Sequence, residues 1–311
     1  MDTSAHDTAD ESLFGKLLPP RHRWGAAVLS LVVPGLGHVY AGRGRRGLAL
    51  ALGGAMTALA AIFLTMVVRV PALRILFTLL PFAVLLGIGS DAFRAAASAR
   101  DPFWGKWYNR WYVYVAIWLA ATLVVQPRVQ GAIKRHVAQA FVFPSTAMEP
   151  TLLPGDYIFT APIQRASIRR GLPVVYQAPG GAYIQRVAAL PGDTVEMRRK
   201  VLFINGRPRR EPYVQHIDPA TDPRDELMDW QEEFLAYARP AYQPTRDNWG
   251  PLVVPHQQYL LLGDNRDNTL DGRYTGFVRV EGIRRRPVWI YMSRDAVGRE
   301  YRWSRIGRGI E

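Results

Sequence analysis

The chain changes character near residue 126, where long apolar runs give way to short alternating ones. Four apolar stretches predict three to four membrane-spanning helices, because about 20 apolar residues cross a bilayer. They occupy residues 24–41, 47–68, 75–93 and 111–126. Pro34-Gly35 interrupts the first, which either spans fully or turns back within the bilayer. Residues 1–23 lack the apolar run of a cleavable signal peptide, and we expect a cytoplasmic or interfacial tail there.

Residues 127–311 contain short β-prone runs separated by turn residues, which predict a mostly-β domain. The Asn205-Gly206 pair is a strong hairpin signal, and Gly180-Gly181 and Pro191-Gly192-Asp193 mark further turns. The β-prone runs are residues 158–160, 174–176, 183–188, 194–197, 201–204, 259–262 and 288–292. The fold class is therefore a multi-pass α-helical membrane region followed by a mostly-β domain.

Two stretches of the second part depart from this β pattern. Residues 128–143 are basic and amphipathic, which favours a segment at the membrane interface. Residues from about 207 to 248 are charged and rich in proline, with one helical candidate at 224–238. The acidic residues of that candidate favour a solvated helix face over a metal site.

The net charge of +13 accompanies the membrane stretches and shows no stripe of basic and aromatic residues, so we expect a lipid bilayer and no nucleic acid as partner. Basic connections at 42–46 and 94–110 predict a cytoplasmic location for both, with residues 69–74 and the β domain outside. Asp91 is expected at the interface near Arg94, and His38 is a packing residue or a ligand. The chain has no cysteine, which excludes disulfides and thiolate metal sites.

Three ordered boxes carry the candidate chemistry of the β domain. They are FPSTAMEPTLLPGD at 143–156, YIQRVAALPGD at 183–193 and GDNRDNTLDGR at 263–273. Together, over roughly residues 127–295, they closely resemble the bacterial type I signal peptidases, which are membrane-anchored serine endopeptidases with a Ser/Lys dyad. The resemblance implies a mostly-β fold with a variable cap insertion at about 207–248. It also implies a bacterial inner-membrane location with an extracytoplasmic C-terminal domain, and no cofactor or metal.

Both reacting residues of that family are replaced here. The position of the nucleophilic serine is Ala147, and the position of the general-base lysine is Gln185. Alanine has no nucleophilic atom, and a glutamine amide is not basic near neutral pH. The resemblance places further residues in an oxyanion hole or apolar substrate groove: Ser145, Met148, Pro144, Pro150 and Leu152. Prolines in the first box predict an extended segment.

The third box is dense in short polar residues that we expect to support the site rather than react. The supporting set is Arg186, Asp264, Asn265, Arg266, Asp267, Thr269, Asp271 and Arg273. The resemblance gives Thr269 the hydroxyl that would bond the lysine, and Gln185 could bond it instead. The spacing of the acids does not suit a calcium loop, because an arginine stands where a ligand is wanted.

The sequence therefore favours a catalytically silent pseudopeptidase, natural or inactivated, that retains a groove for signal-peptide-like segments or preproteins. One alternative is an active signal peptidase that uses Ser145 or another variant of the dyad. That alternative needs a base, and the candidates are Lys200, expected to face solvent, His216 and His256. A third possibility makes the membrane region the working part and the outer domain a scaffold.

Overall fold

The computed structural model describes residues 17–18, 21–99, 103–104, 106–219, 225–295 and 300–311. Most of the predicted N-terminal tail lies outside these residues, as do Lys16, Arg100 and Arg224. The chain divides into two compact units, one ending at Lys134 and the other beginning at Arg135.

The first unit is built from helices. Its short strands β1 (Leu17–Leu18) and β2 (Phe103–Trp104) pair antiparallel. Its helices are α1 (Arg23–Val32), α2 (Leu36–Tyr40), α3 (Gly44–Val67), α4 (Pro71–Ala97), α5 (Trp111–Leu119) and most of α6 (Gln126–His136), whose last two residues belong to the second unit. A π-helical segment, Ala120–Val125, joins α5 to α6.

Three helical stretches of the described chain are long and apolar enough to cross a membrane: Gly44–Val67, Pro71–Ala97 and Trp111–His136. Many of their large apolar side chains, such as Met56 and Phe82, are exposed. Such surfaces are stable where lipid replaces water. The 10-residue helix α1 is only about 15 Å long, half the thickness of a bilayer core.

Glycines allow α1, α2 and α3 to approach closely. The first apolar stretch breaks after Val32, and Gly35 adopts a positive φ of 87° that opens α2. A Cβ on Gly35 would collide with the Gly47 carbonyl, and one on Gly37 would collide with the Ala26 carbonyl. Glycine is therefore required at both of these backbone crossings.

An ion-paired group joins α2, α3 and α4. His38 is fully buried, and its Nε2 lies 2.7 Å from Asp91 Oδ2. Arg46 Nη2 donates to the other oxygen of Asp91 at 2.6 Å. The sequence placed Asp91 near Arg94, which follows it on the same helix. The structure instead pairs Asp91 with residues from neighbouring helices, because α2 and the start of α3 pack against α4.

The second unit contains two antiparallel sheets. One has the strand order β12-β11-β6-β5-β13-β4-β3 and the other β10-β7-β8-β9. The strands are β3 (Gln139–Phe143), β4 (Asp156–Pro162), β5 (Pro173–Ala178), β6 (Gly181–Ala189), β7 (Thr194–Arg198), β8 (Val201–Ile204), β9 (Arg207–Pro208), β10 (Trp249–Val253), β11 (Gln258–Leu262), β12 (Val278–Arg279) and β13 (Ile283–Ser293). A short helix α7, Gly272–Thr275, follows β11.

The predicted fold class, apolar helices followed by a mostly-β domain, is confirmed. Every β-prone run predicted from the sequence lies within a strand, and Asn205-Gly206 forms the turn between β8 and β9. Residues 139–143, which the sequence places at the membrane interface, form the edge strand β3. They pair with β4 over their whole length, which satisfies their backbone hydrogen bonds on one side.

The insertion at 207–248 contributes to the core as well as to the surface. Its helix is a 3₁₀ helix, Glu226–Phe234, capped by the Asp225 carboxylate on Leu227 N. Met228 is fully buried in a cluster with Trp249 and residues of both sheets. The acidic side chains of this helix are exposed, which agrees with the solvated face expected from the sequence.

Candidate functional site

The first box folds as consecutive turns, so the expectation of an extended segment is wrong. Glu149 N donates to Thr146 O at 3.1 Å, and Leu152 N donates to Met148 O at 2.8 Å. Met148 and Leu152, four residues apart, are both fully buried in one core cluster. Side chains at that spacing share a side when the chain coils. Burial of this pair therefore favours the turns.

The residues assigned to a groove separate into two groups. Met148 and Leu152 are core residues with no exposed surface. Pro144, Ser145 and Pro150 are exposed. Pro144, Ser145 and Pro150 therefore form the open surface beside the first box. Met148 and Leu152 fix the path of its turns.

The third box holds the first box by its backbone. Asn265 N donates to Ala147 O at 3.1 Å, and Asn265 Nδ2 donates to Thr146 O at 3.3 Å. A Cβ on Gly263 would collide with both Ala147 O and Thr269 Oγ1. Ala147 and Thr269 therefore both lie within contact distance of the same glycine.

Gln185 lies on β6 opposite Val174 and is almost completely buried. Its Oε1 accepts a hydrogen bond from the Tyr176 hydroxyl at 2.9 Å, and its Nε2 donates to Leu270 O at 3.0 Å. The expected bond from Gln185 to Thr269 is not formed; the amide bonds Tyr176 and Leu270 instead. The buried Thr269 Oγ1 has no hydrogen-bond partner in the described part of the chain.

Tyr176 remains a neutral donor at this site. Burial, followed by the nearby Asp271 carboxylate and Tyr183, raises the pKa of Tyr176 well above its usual range. The phenol therefore stays protonated, and its O–H donates a hydrogen bond to the Gln185 carbonyl oxygen. This fixes the orientation of the glutamine amide.

Arg186, next to Gln185, links several parts of the site. Its Nε and Nη2 donate to the two oxygens of Asp264 at 2.8 and 2.7 Å. Its Nη1 donates to Gly171 O at 2.6 Å and to Glu311 O at 2.8 Å. Thr151 Oγ1 donates to Asp264 Oδ2 at 2.5 Å. The Arg186–Asp264 pair thus connects the first, second and third boxes with Glu311.

A second buried pair holds the third box together. Arg273 Nε and Nη2 each donate to Asp271 at 2.9 Å, and Gly263 N donates to Asp271 Oδ2 at 3.1 Å. Arg266 Nη2 donates to Glu211 Oε1 at 2.7 Å, which connects the box to the insertion. Both arginines and Asp271 are buried and paired, as a structural scaffold requires.

Comparison with known proteins identifies the family of this arrangement. The family model "Signal peptidase, peptidase S26" matches residues 110–292. The chain belongs to the signal peptidase family. Similar relatives include the probable signal peptidase I-2 of Synechocystis (32% identical, covering 53% of this chain and 68% of the relative) and the signal peptidase I of Leptolyngbya laminosa (33%, 50% and 70%). Another is the signal peptidase I of Bacillus amyloliquefaciens (32%, 50% and 75%).

A crystal structure of a signal peptidase I from Enterococcus faecalis is 25% identical and covers 37% of this chain and 92% of its own chain. Its TM-score of 0.24 is too low for a comparison of the two folds. The matched region, residues 110–292, contains all three boxes. Family membership therefore covers the part of the chain in which the dyad positions lie.

The first and third of these signal peptidase boxes border an open cleft of about 430 Å³. Ser145, Ala147 and Thr269 line it together with residues of the insertion and the third box. Ser145 Oγ accepts a hydrogen bond from Ala147 N at 3.1 Å, in a local turn. Gln185 is not among the lining residues and lies behind Leu270.

The candidate bases of a Ser145-dependent signal peptidase are engaged elsewhere or lie away from the cleft. Lys200, expected to face solvent, is largely buried and pairs with Asp267 at 3.1 Å. His216 Nδ1 lies 3.2 Å from the same carboxylate. His256 is exposed and is not among the residues lining the cleft. Lys200 points towards the interior because the buried Asp267 carboxylate needs cations to offset its desolvation.

Burial alone would raise the pKa of Asp267, but its partners reverse the effect. Hydrogen bonds from Asp218 N, His216 and Lys200, with the charge of Arg246, lower the pKa of Asp267 to about 2. This residue therefore stays ionised and ties the insertion to the third box. The described residues contain no group of three or more histidines and carboxylates placed to hold a metal ion.

Two site residues are not evident from the boxes of the sequence. Tyr176 could have been found, because the Gly180-Gly181 turn sets a hairpin register that pairs residue 174 with 185 and 176 with 183. Tyr213, whose ring lies 3.8 Å from the Arg186 guanidinium, had no such signal. It comes from the insertion, and sequence patterns do not specify contacts across that separation.

Proposed function

We propose that this member of the signal peptidase family binds signal-peptide-like extended segments without cleaving them. The observation that supports the absence of cleavage is the identity of the residues at the two dyad positions. Ala147 offers only a methyl group to the cleft, and the Gln185 amide is bonded to Tyr176 and Leu270. Neither position supplies a nucleophile or a proton acceptor.

The chemical deficit is large. Loss of one member of a catalytic group that works as a unit costs about 10⁴ to 10⁶ in rate, and loss of the others adds little. The scaffold around those positions is nevertheless complete, with the buried Arg186–Asp264 and Arg273–Asp271 pairs in place. A folded site without reacting groups suits retention of a peptide better than hydrolysis.

The alternative of an active enzyme rests on Ser145, which lines the same cleft as Ala147. Its side chain is exposed, but its hydroxyl accepts from a backbone N–H and does not contact a base. Lys200 and His216 both pair with Asp267. Proteolysis through Ser145 would therefore need a base from beyond the described residues or a rearrangement of the insertion.

The family acts on signal peptides of preproteins, and we extend that substrate class to this chain as a ligand class. We also place the protein in the inner membrane of a bacterium, with the β domain outside the cytoplasm. The three apolar helices and the asymmetry of the basic connections support this placement. No metal or cofactor is needed for peptide retention.

Restoration of the dyad tests the proposal. The wild type, Ala147→Ser, Gln185→Lys and the double variant are purified as full chains and incubated with a preprotein. We expect cleavage from the double variant alone, because each single variant still lacks one partner. Cleavage by the wild type that disappears in Ser145→Ala would overturn catalytic silence.

A binding measurement tests the retained groove separately. A signal-peptide analogue carries a photo-activated crosslinker next to its residues with small side chains. It is mixed with the wild type and irradiated. We expect a crosslink within residues 144–147, and an analogue with bulky residues at the same places should not compete. If no peptide is captured and the double variant is also inactive, the binding part of the proposal is wrong.

A further inference from the structure

The helical unit has a strong and uneven excess of positive charge. Between residues 21 and 134, Asp91 is the one acidic side chain in the part of the chain that the structure describes. That carboxylate already contacts His38 at 2.7 Å and accepts from Arg46 at 2.6 Å. It therefore has no capacity to neutralise the remaining arginines of the unit.

Contacts between helices place several of those arginines at one end. Arg46 reaches Asp91, and Arg43 Nη2 donates to Ser98 Oγ at 3.0 Å, so the start of α3 lies beside the end of α4. Arg45 and Arg94 belong to the same two helix ends. Both are exposed, and neither has an acidic partner among the described residues.

The neighbouring segments add to this end. The Arg23 guanidinium lies 5.3 Å from the Phe93 ring, which places the start of α1 there. Lys106 Nζ donates to Gly42 O at 3.2 Å, so the segment before α5 is there too. We call this surface the basic rim; it consists of Arg23, Arg43, Arg45, Arg94, Lys106 and Arg110.

Exposed aromatic residues border the basic rim. Trp24 at the start of α1 is 61% exposed and packs edge-on against Phe93, with ring centroids 4.9 Å apart. Trp111 at the start of α5 is 75% exposed. Tryptophans at the ends of apolar helices are typical of the headgroup level of a bilayer. The rim thus lies where lipid headgroups would surround helices whose apolar sides the acyl chains cover.

We propose that the basic rim binds the phosphate-bearing headgroups of anionic phospholipids. Guanidinium groups donate pairs of hydrogen bonds that match phosphate oxygens, and they are desolvated more easily than ammonium groups. The first turn of α3 carries Arg45 and Arg46 and no acidic residue, an arrangement that opposes the helix dipole. An anion bound at the rim offsets that repulsion. This inference is independent of whether the β domain holds a peptide.

The test measures lipid retention by the full chain in a mild detergent. Phosphatidylglycerol and phosphatidylcholine with identical acyl chains are added in equal amounts, and bound lipids are counted by native mass spectrometry. We expect preferential binding of phosphatidylglycerol that weakens with added salt. Arg45→Gln with Arg94→Gln should lower that affinity about fivefold for each charge removed, with phosphatidylcholine unaffected.

A matched control removes two exposed charges elsewhere in the unit, in Arg69→Gln with Arg128→Gln. This variant should retain phosphatidylglycerol like the wild type. Equal binding of the two lipids by the wild type would overturn the proposal, and so would an equal loss in the rim and control variants. Displacement of the lipid by an acidic peptide or an oligonucleotide at equal concentration would also contradict it. The comparison of lipids on the wild type does not depend on either variant folding.

Discussion

The glutamine at position 185 suits a buried site better than a charged residue would. A lysine there must lose its hydration and have its pKa lowered towards neutrality. The amide instead meets one donor, the Tyr176 hydroxyl, and one acceptor, the Leu270 carbonyl, at normal hydrogen-bond distances. Both polar ends of the side chain are satisfied without any buried charge, so the replacement preserves the fold around the lost chemistry.

Replacement of Gln185 by leucine is therefore expected to destabilise the β domain. The change leaves the buried Tyr176 hydroxyl without its partner, at a cost of about 1 to 3 kcal/mol, and also removes the bond to the carbonyl of the largely exposed Leu270. Gln177→Leu, on the exposed end of β5, is the matched control and should be close to neutral. Urea unfolding of the purified full chain, followed by tryptophan fluorescence, measures both. Equal midpoints for the two variants would contradict the structural role of the amide.

At the scale of elements, the Asp267 carboxylate is one of the links between the third box and the insertion. Asp267 has a folded-state pKa of about 2, below its ordinary value of 3.8. A lowered pKa means that the ionised form is stabilised by folding, so its contribution is complete above about pH 4. That contribution disappears as the pH falls towards 2, because the proton then binds the folded protein as well.

We therefore expect Asp267→Asn to flatten the acid limb of the stability profile. The unfolding midpoint of the wild type should fall between pH 4 and pH 2, and that of the variant should fall less over the same interval. Glu233→Gln, an exposed acid of the 3₁₀ helix, serves as the control and should follow the wild type. Parallel profiles for wild type and Asp267→Asn would show that another carboxylate controls acid unfolding.

The contact between α1 and α2 depends on the absence of a side chain. A Cβ on Gly37 would collide with the Ala26 carbonyl, whereas one on Gly53 in α3 would meet no atom within 4 Å. Gly37→Ala should thus separate the two helices and lower the thermal stability of the purified protein in detergent. Gly53→Ala should raise it slightly, because alanine favours a helix by about 1 kcal/mol over glycine. The opposite order of melting temperatures would rule out this packing.

Sequence patterns specified some elements and not others for physical reasons. Strands β4 to β8 could be predicted because their alternation and turn residues are local. The turns of the first box could not, since prolines favour extension locally while burial of Met148 and Leu152 decides the path. The inward position of Lys200 depends on Asp267, which is distant in sequence. Similarly, the candidate dyad positions followed from the boxes, but the partners of Gln185 required the sheet register.

At the scale of the whole molecule, hydrophobic periodicity and charge carry most of the information about membrane topology. In the part of the chain that the structure describes, three helices long and apolar enough to cross a membrane precede the β domain, and basic residues gather at the ends of α3 and α4 that share the basic rim. The positive-inside rule supports the proposed cytoplasmic location of that rim. Because α3, α4 and the α5–α6 stretch would each cross the bilayer once, the β domain would lie on the opposite side.

This topology can be measured directly, since the chain has no native cysteine. Single cysteines replace three exposed alanines: Ala97 at the rim end of α4, Ala72 at its other end and Ala182 on β6. In intact cells with the outer membrane permeabilised, a membrane-impermeant thiol reagent should label Ala72→Cys and Ala182→Cys. It should label Ala97→Cys only after the inner membrane is opened. Labelling of Ala97→Cys alone in intact cells would reverse the orientation, and with it the compartment in which the cleft meets a peptide.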